Sequence, residues 1–285
     1  MTTSVLYKTP AGHQAVMAIY DTAMEHWAVP YTTRMIPTRH GNTFVVVSGD
    51  EHAPAMILLH GSGGNSSIWA GDVRDYCSQF RVYAVDLPGE AGKSDPNRPA
   101  WESPAFAEWL EDVLNGLAIQ KVTLVGVSQG GWTALKFAVT APQRVESLIL
   151  IAPGGIVADR PLFLIRAIVL MLFGSWGVRR MVHALFGDQA VSRDVEDIVV
   201  QITSQFKPRI GVVPIFSDEE LKRLVMPMLL LGGTKDIIRD IDKIASRLRN
   251  LVPNLTVTLI PGGGHALQYT SDHVMKFLNC LKNPA

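Results

Sequence analysis

Short apolar runs rich in β-branched residues recur along the chain, and each is followed by glycine, proline or aspartate and then by a segment with helical spacing. Several runs are apolar throughout, which is typical of strands buried on both faces in a parallel sheet covered by helices. The runs predict strands over 43–47, 55–59, 82–85, 122–127, 145–151, 228–231 and 255–260. This alternation favours an α/β fold with a mostly parallel sheet.

Segments with apolar positions three and four residues apart lie between the strands and predict the helices. Ser103 is the expected N-cap of the helix that begins at residue 104. One further helix, over 14–27, precedes the sheet. The helices between or after strands cover 104–117, 130–141, 241–251 and 266–281.

One stretch, 156–222, contains no convincing buried strand and is predicted to be a helical cap or lid over the carboxyl ends of the strands. Ligands of open α/β sheets bind at that edge. We therefore expect an N-terminal arm with a helix over 1–42, a core formed by 43–155 and 223–285, and the lid between the two parts of the core.

Charge and cysteine content exclude several classes of protein. The 26 basic residues balance the 26 acidic residues, so a strongly basic nucleic-acid binder is excluded. Cys77 and Cys280 match no metal spacing and are expected to be free, buried thiols in a reducing compartment. The N-terminus lacks the continuous apolar run of a signal peptide, which favours a cytoplasmic protein.

The most apolar segment, 162–173, is too short for a membrane span and contains Arg166. A span needs about 18 or more uncharged residues. A core or cap helix is the preferred interpretation, and membrane association is not expected.

The strongest local signal is Gly126-Val-Ser128-Gln-Gly130, the G-x-S-x-G pattern, which directly follows a buried strand and opens a helix. A sharp strand-to-helix turn needs small residues on either side of the serine, because backbone segments approach closely there. The turn exposes the hydroxyl at a helix N-terminus, where the helix dipole favours negative charge. Ser128 is therefore the predicted nucleophile.

A serine nucleophile needs a base, and the base needs an orienting acid. Among the eight histidines, His265 follows three glycines just after the last predicted strand, which places it at the carboxyl edge of the sheet. Asp236 follows the strand 228–231 and is the predicted acid. Asp240 is the reserve candidate and Asp159 a weaker third.

The oxyanion of an acyl-transfer transition state needs hydrogen-bond donors already in place. The backbone N–H of Gln129, directly after the nucleophile, is the first expected donor, and the backbone N–H of Ser62 in His60-Gly-Ser-Gly-Gly64 is the second. Gly61, Gly63 and Trp132 are the predicted substrate-binding residues. His60 is expected to hold this loop rather than to act as a base.

Taken in order, these motifs resemble the α/β-hydrolase fold superfamily, in particular its serine carboxylesterases. The resemblance covers about 43–281 and rests on His60-Gly61, Asp86-Leu-Pro-Gly89, the turn at Ser128, the loop at Asp236 and Gly264-His265. It implies an eight-stranded sheet with helices on both faces, a lid inserted after the sixth strand, a Ser/Asp/His triad and no cofactor or metal.

The loop from Asp86 to Ser94 departs from the family pattern. Members often read Asp-x-Pro-Gly-x-Gly-x-Ser, and this chain carries one extra residue. Gly92-Lys93-Ser94 resembles the end of a phosphate-binding P-loop, but Leu87 occupies the position of the required glycine. Nucleotide binding is therefore not expected.

We expect a serine hydrolase that cleaves a small or medium, mostly apolar ester, because Ser128 argues against the family members that use aspartate to open epoxides or displace halide. A carbon-carbon bond hydrolase is the runner-up, and a lactonase, an aminopeptidase or a perhydrolase also stays open. A non-catalytic ligand receptor and a membrane-surface lipase are rival interpretations. A homodimer is an open alternative for the assembly.

Overall fold

A computed structural model describes residues 6–209 and 211–282, with the side chain of Leu164 left out. Three parts of the predicted regions lie outside the described residues: 1–5 of the arm, 210 of the lid and 283–285 of the core. Eight strands form one open sheet in the order β1-β2-β4-β3-β5-β6-β7-β8. The strands are β1 (Tyr31–Thr38), β2 (Gly41–Ser48), β3 (Ala55–Leu59), β4 (Arg81–Val85), β5 (Val122–Val127), β6 (Val145–Ile151), β7 (Met228–Gly233) and β8 (Leu255–Ile260).

Strand direction confirms the mostly parallel sheet. β2 pairs antiparallel with both β1 and β4, and every other neighbouring pair is parallel.

The helices are α1 (Pro10–Glu25), α2 (Val73–Cys77), α3 (Ala105–Gly116), α4 (Gln129–Thr140), α5 (Pro161–Met171), α6 (Gly174–Phe186), α7 (Arg193–Gln205), α8 (Asp218–Leu221), α9 (Ile241–Leu251) and α10 (Ser271–Lys282).

Successive residues of the central strands point to opposite faces of the sheet, so each strand serves two cores. In β3, Ile57 and Leu59 belong to the core shared with α3, α4 and α9. Met56 and Leu58 belong to the core shared with α1, α2 and α10. This arrangement explains why the runs are apolar throughout, and it confirms helices on both faces.

β1 was not predicted, and it lies within the predicted arm. It pairs with β2 along its whole length at the edge of the sheet. Most of its side chains are exposed, and Pro37 interrupts the run. An edge strand has one unpaired side, so it tolerates proline and polar residues and shows no apolar run.

Four helices, α5 to α8, lie between β6 and β7 in the region predicted as a lid, and α7 contacts α1 of the arm. An isolated β-bridge between Tyr7 and Phe206 adds to this contact.

Large apolar side chains of α5 and α6 and of the turn between them are exposed; they include Leu162, Ile165, Ile168, Leu172 and Trp176. The interpretation of this segment as a core helix is therefore wrong for these side chains, which lie at the surface. Within the part of the chain described, none of the helices has the length and apolar character needed to cross a membrane.

The cysteine prediction needs a correction. Both thiols are free, but Cys77 is half-buried and Cys280 is exposed. The buried face of α10 carries Val274, Phe277 and Leu278, and the 3.6-residue period turns Cys280 away from that face.

Candidate active site

The turn between β5 and α4 places Ser128 at the carboxyl edge of the sheet, and two glycines make this turn sterically feasible. A Cβ added to Gly126 would lie 2.4 Å from the Gly130 oxygen, and one added to Gly130 would lie 2.2 Å from the Leu59 oxygen. No side chain fits at such distances. The small residues that the motif requires are therefore explained by contacts of backbone with backbone.

Ser128 itself adopts an uncommon backbone conformation, with φ 52° and ψ −108°. A non-glycine residue in this region is strained, and such strain persists where surrounding structure holds it. Here the Ser128 N–H donates to Ile151 O at 2.9 Å, and Ser128 O accepts the Trp132 N–H at 3.0 Å. The half-buried side chain is thereby held at the N-terminus of α4.

His265 links Ser128 to Asp236. Its Nε2 lies 3.0 Å from Ser128 Oγ, and its Nδ1 lies 2.8 Å from Asp236 Oδ2. The second carboxylate oxygen of Asp236 accepts the backbone N–H groups of Ile238 at 2.7 Å and Arg239 at 2.8 Å. The structure thus brings together the three residues predicted as nucleophile, base and acid, and the carboxylate is fixed from two sides.

The two alternative acids have other partners. Asp240 is the N-cap of α9, where its side chain accepts the Lys243 N–H at 3.3 Å. Although partial burial raises its pKa, the hydrogen bonds and charge of Lys243 hold the pKa of Asp240 below its usual range. Asp159 forms an ion pair with the buried Arg239. Neither carboxylate is bonded to His265 in the structure.

The loop after β3 lies beside Ser128. A Cβ added to Gly61 would be 3.6 Å from the Ser128 Cβ. Gly64 N donates to Gly61 O at 3.2 Å and closes a tight turn whose third residue, Gly63, has φ +69°. Ser62 is the second residue of this turn, so its N–H lies outside the turn's own hydrogen bond. Gln129 is the first residue of α4, so its N–H has no partner within the helix.

His60 supports this loop, as expected. It is fully buried, its Nε2 accepts the Leu87 N–H at 2.9 Å, and its Nδ1 lies 2.8 Å from Gly61 O. Because Nε2 accepts, the ring proton of the neutral form is on Nδ1 and is donated to Gly61. His60 therefore joins the loop after β3 to the loop after β4.

Trp132 has a different position from the one predicted. It is 1% exposed, its Nε1 donates to Pro214 O at 3.0 Å, and its ring packs against Trp101, Phe106 and Phe216. The side chain points into the core from the first turn of α4. It has almost no solvent-facing surface and is excluded from the substrate contacts proposed below.

A contact that the sequence reasoning missed connects the cap to the His265 loop. Gly264 N donates to Phe186 O at 3.1 Å, and Ala266 N donates to Leu185 O at 2.9 Å, at the end of α6. Gly187 and Gly263 form an isolated β-bridge. The glycines before His265 thus admit the backbone of α6, and their repetition was the only sequence signal for this contact.

This docking also corrects the predicted start of the last helix. Residues 266–270 were expected to be helical, but α10 begins at Ser271. The backbone of Ala266 is bound to Leu185 and to the Gln189 side chain, and Tyr269 has φ 54°. These partners hold the segment in a non-helical conformation.

Comparisons with known proteins agree with this geometry. A model of the "Alpha/beta hydrolase family" matches residues 56–275. The Bacillus subtilis (strain 168) protein named "Uncharacterized carboxylesterase nap" is 31% identical over 284 residues, which cover 91% of this chain and 91% of that protein.

Two crystal structures from Bacillus subtilis are similar over nearly the whole chain. Carboxylesterase CesB (YbfK) has a TM-score of 0.83 and 30% identity, covering 94% of this chain and 98% of that one. The naproxen esterase (carboxylesterase NP) has a TM-score of 0.82 and 30% identity, covering 93% and 97%. From its fold, its motifs and these matches, the chain belongs to the alpha/beta hydrolase family.

Proposed function

We propose that this carboxylesterase-like hydrolase cleaves carboxylic esters of small or medium, mostly apolar substrates through an acyl-enzyme on Ser128. The observation that carries the proposal is the hydrogen-bonded chain from Ser128 Oγ through His265 to Asp236. The relatives named as carboxylesterases support the ester as the bond that is cleaved.

Acylation begins when Ser128 Oγ attacks the ester carbonyl carbon. His265 Nε2, within hydrogen-bond reach of this oxygen, takes the hydroxyl proton. Asp236 accepts a hydrogen bond from the Nδ1–H group of His265, so it selects the tautomer whose Nε2 is free to act as base, and it stabilises the imidazolium that forms. His265 then gives the proton to the leaving alcohol.

Negative charge develops on the former carbonyl oxygen. The backbone N–H groups of Gln129 and Ser62 flank Ser128 and are the donors we assign to this oxyanion. Each such donor is worth on the order of 3 kcal/mol in the transition state. The N-terminus of α4 adds a favourable dipole at the same place.

Water completes the cycle by attacking the acyl-enzyme carbonyl. His265 takes a proton from the water and returns it to Ser128 Oγ as the acid product leaves. Every proton that moves in these steps passes through His265 Nε2.

A cavity lies between the cap and the core, beside the acid of the triad. It has a volume of 590 Å³, adjoins Asp236 and is walled by Pro161, Leu162, Phe163 and Ile237 together with Arg160, Arg166 and Lys235. Ser128 and His265 are not among its lining residues, so the size and apolar character of the substrate rest on the exposed apolar side chains of α5 and α6 and not on this cavity.

A panel of p-nitrophenyl esters of increasing acyl chain length tests the proposal. We expect turnover by the wild-type protein, with an early burst of p-nitrophenol when deacylation is slow, and none by Ser128→Ala. The exposed Ser78 provides a matched control, and Ser78→Ala should retain full activity. Absence of turnover on every ester by folded wild-type protein would overturn the ester assignment and favour carbon-carbon bond hydrolysis.

A further inference from the structure

Glu90 is a buried carboxyl group for which the mechanism above has no use. It is 2% exposed and lies in the loop from Asp86 to Ser94, the loop that carries one residue more than the family pattern. Burying a carboxyl group is costly unless its oxygens are hydrogen-bonded. The partners of Glu90 therefore indicate why the group is retained.

Each carboxyl oxygen of Glu90 accepts from a different side of the candidate site. Oε2 accepts the Gly63 N–H at 2.7 Å, and Oε1 accepts from Gln129 Nε2 at 3.0 Å. Gly63 follows Ser62 in the turn after β3, and Gln129 opens α4. Glu90 thus bridges the two backbone segments to which the oxyanion donors were assigned.

The rest of the loop supports the same contact. Ser66 donates to Asp86 from its backbone N–H at 2.8 Å and from its hydroxyl at 2.7 Å, and Asn65 Nδ2 donates to Ala91 O at 2.9 Å. With the bond between Leu87 and His60, these contacts fasten the loop after β4 along the whole loop after β3. The hydrogen bond from Gln129 to Glu90 extends this connection to α4.

The buried surroundings of Glu90 strengthen its two hydrogen bonds. Burial raises the pKa of Glu90, and the bonds from Gly63 and Gln129, with the charge of Arg98, oppose that rise. Hydrogen bonds are electrostatically stronger in such a low-dielectric site, and an acceptor left without its donor is correspondingly costly.

We propose that Glu90 is a positioning residue that holds the Ser62 and Gln129 amides in register for the oxyanion. The inference rests on the proposed function, because the register matters only if an oxyanion forms there. Glu90 touches no reacting atom. It acts by fixing the Ser62-Gly63 peptide relative to the first residue of α4.

The first variant is Glu90→Gln, which keeps the size of the side chain. Both partners of Glu90 are N–H donors, so a glutamine can accept only one of them while its NH₂ group faces the other. We expect kcat and kcat/KM to fall together by about 10- to 100-fold with KM unchanged, since an interaction made only in the transition state is weakened. Affinity for a trifluoromethyl ketone, which forms a tetrahedral oxyanion on the serine, should fall by a similar factor.

A double variant distinguishes positioning from simple loss of stability. In Glu90→Gln with Gln129→Glu, the new glutamine can accept from Gly63 and donate to the new glutamate, so both hydrogen bonds are restored. We expect kcat per titrated active site to recover by at least 10-fold relative to Glu90→Gln. The exposed Glu102 gives the control, and Glu102→Gln should match the wild type.

Two results would overturn the inference while leaving the proposed function intact. One is an unchanged kcat per titrated site in Glu90→Gln. The other is a loss that the double variant does not recover. If Glu90→Gln does not fold, Gln129→Ala removes only one of the two bonds and must still lower kcat without raising KM. Failure of the proposed function is distinct, because the wild-type protein itself would then show no ester turnover.

Discussion

Gly264 lies so close to Leu185 that a Cβ added to the glycine would stand 2.2 Å from the leucine carbonyl oxygen. The contact joins the end of α6 to the residue before His265. The position of the base and the docking of the cap are therefore coupled through the backbone contacts of Gly264 and its neighbours.

Gly264→Ala should push α6 and the His265 loop apart. Its φ is not in the left-handed region, so the effect is steric rather than conformational. We expect a loss of about 1–3 kcal/mol in the free energy of unfolding, as for other overpacked sites, together with a decrease of about 10-fold or more in kcat/KM. Urea unfolding and ester kinetics measure the two effects.

Gly71→Ala is the matched control, because an added Cβ there meets nothing within 4 Å. It should leave both quantities close to the wild-type values. Equal behaviour of the two variants would contradict the coupling between the cap and His265.

The assignment of the acid can be tested with two asparagine substitutions. Asp236→Asn leaves the geometry similar but favours the wrong tautomer of His265, and kcat should fall by about 10⁴-fold. Asp240→Asn keeps an oxygen that can cap α9, so it should retain most of the activity. A nearly normal Asp236→Asn with an inactive Asp240→Asn would transfer the role to Asp240.

Acid stability should depend on Asp112. Its carboxylate accepts the backbone N–H of Arg39 at 2.8 Å and the side-chain Nε–H of Arg39 at 2.9 Å. Partial burial raises the pKa of Asp112, but the hydrogen bonds and charge of Arg39 outweigh burial and hold that pKa below its usual range. A carboxylate with a lowered folded-state pKa stabilises the protein above its unfolded-state pKa, and this stabilisation is lost as the pH falls through the folded-state value.

The stabilisation by Asp112 is modest because Arg39 is half exposed; solvent-exposed pairs contribute about 0.2–1 kcal/mol. Wild type should exceed Asp112→Asn in free energy of unfolding by this amount at pH 7, and the difference should shrink below about pH 4. Urea unfolding at several pH values between 7 and 2 measures it. A difference that stays constant with pH would rule out the ion pair as its source.

The sequence was sufficient to predict the meeting of Ser128, Asp236 and His265. Ser128 and Asp236 follow strongly apolar strands and His265 follows the partly buried β8, and parallel strands bring their carboxyl ends to one edge of the sheet. The glycines Gly126 and Gly130 marked the close backbone approaches at the serine turn, whereas the approach of α6 to Gly264 was missed.

Features that depend on contacts between distant segments were not predictable in this way. β1 pairs at an exposed edge and has no apolar signature, and α10 starts late because the cap binds Ala266. Trp132 looked like a site residue because it follows the nucleophile, but the helical period turns it into the core. The role of Glu90 could be inferred only once its partners were known, Gly63 in the loop after β3 and Gln129 at the start of α4.

The central claim is that Ser128 is the nucleophile and that His265 activates it. Intact mass after treatment with a fluorophosphonate measures this directly. We predict a single adduct on the wild-type protein, none on Ser128→Ala, and labelling slowed by orders of magnitude in His265→Ala, while His52→Ala, altered at an exposed histidine, labels at the wild-type rate. An adduct that forms equally on Ser128→Ala would contradict the account.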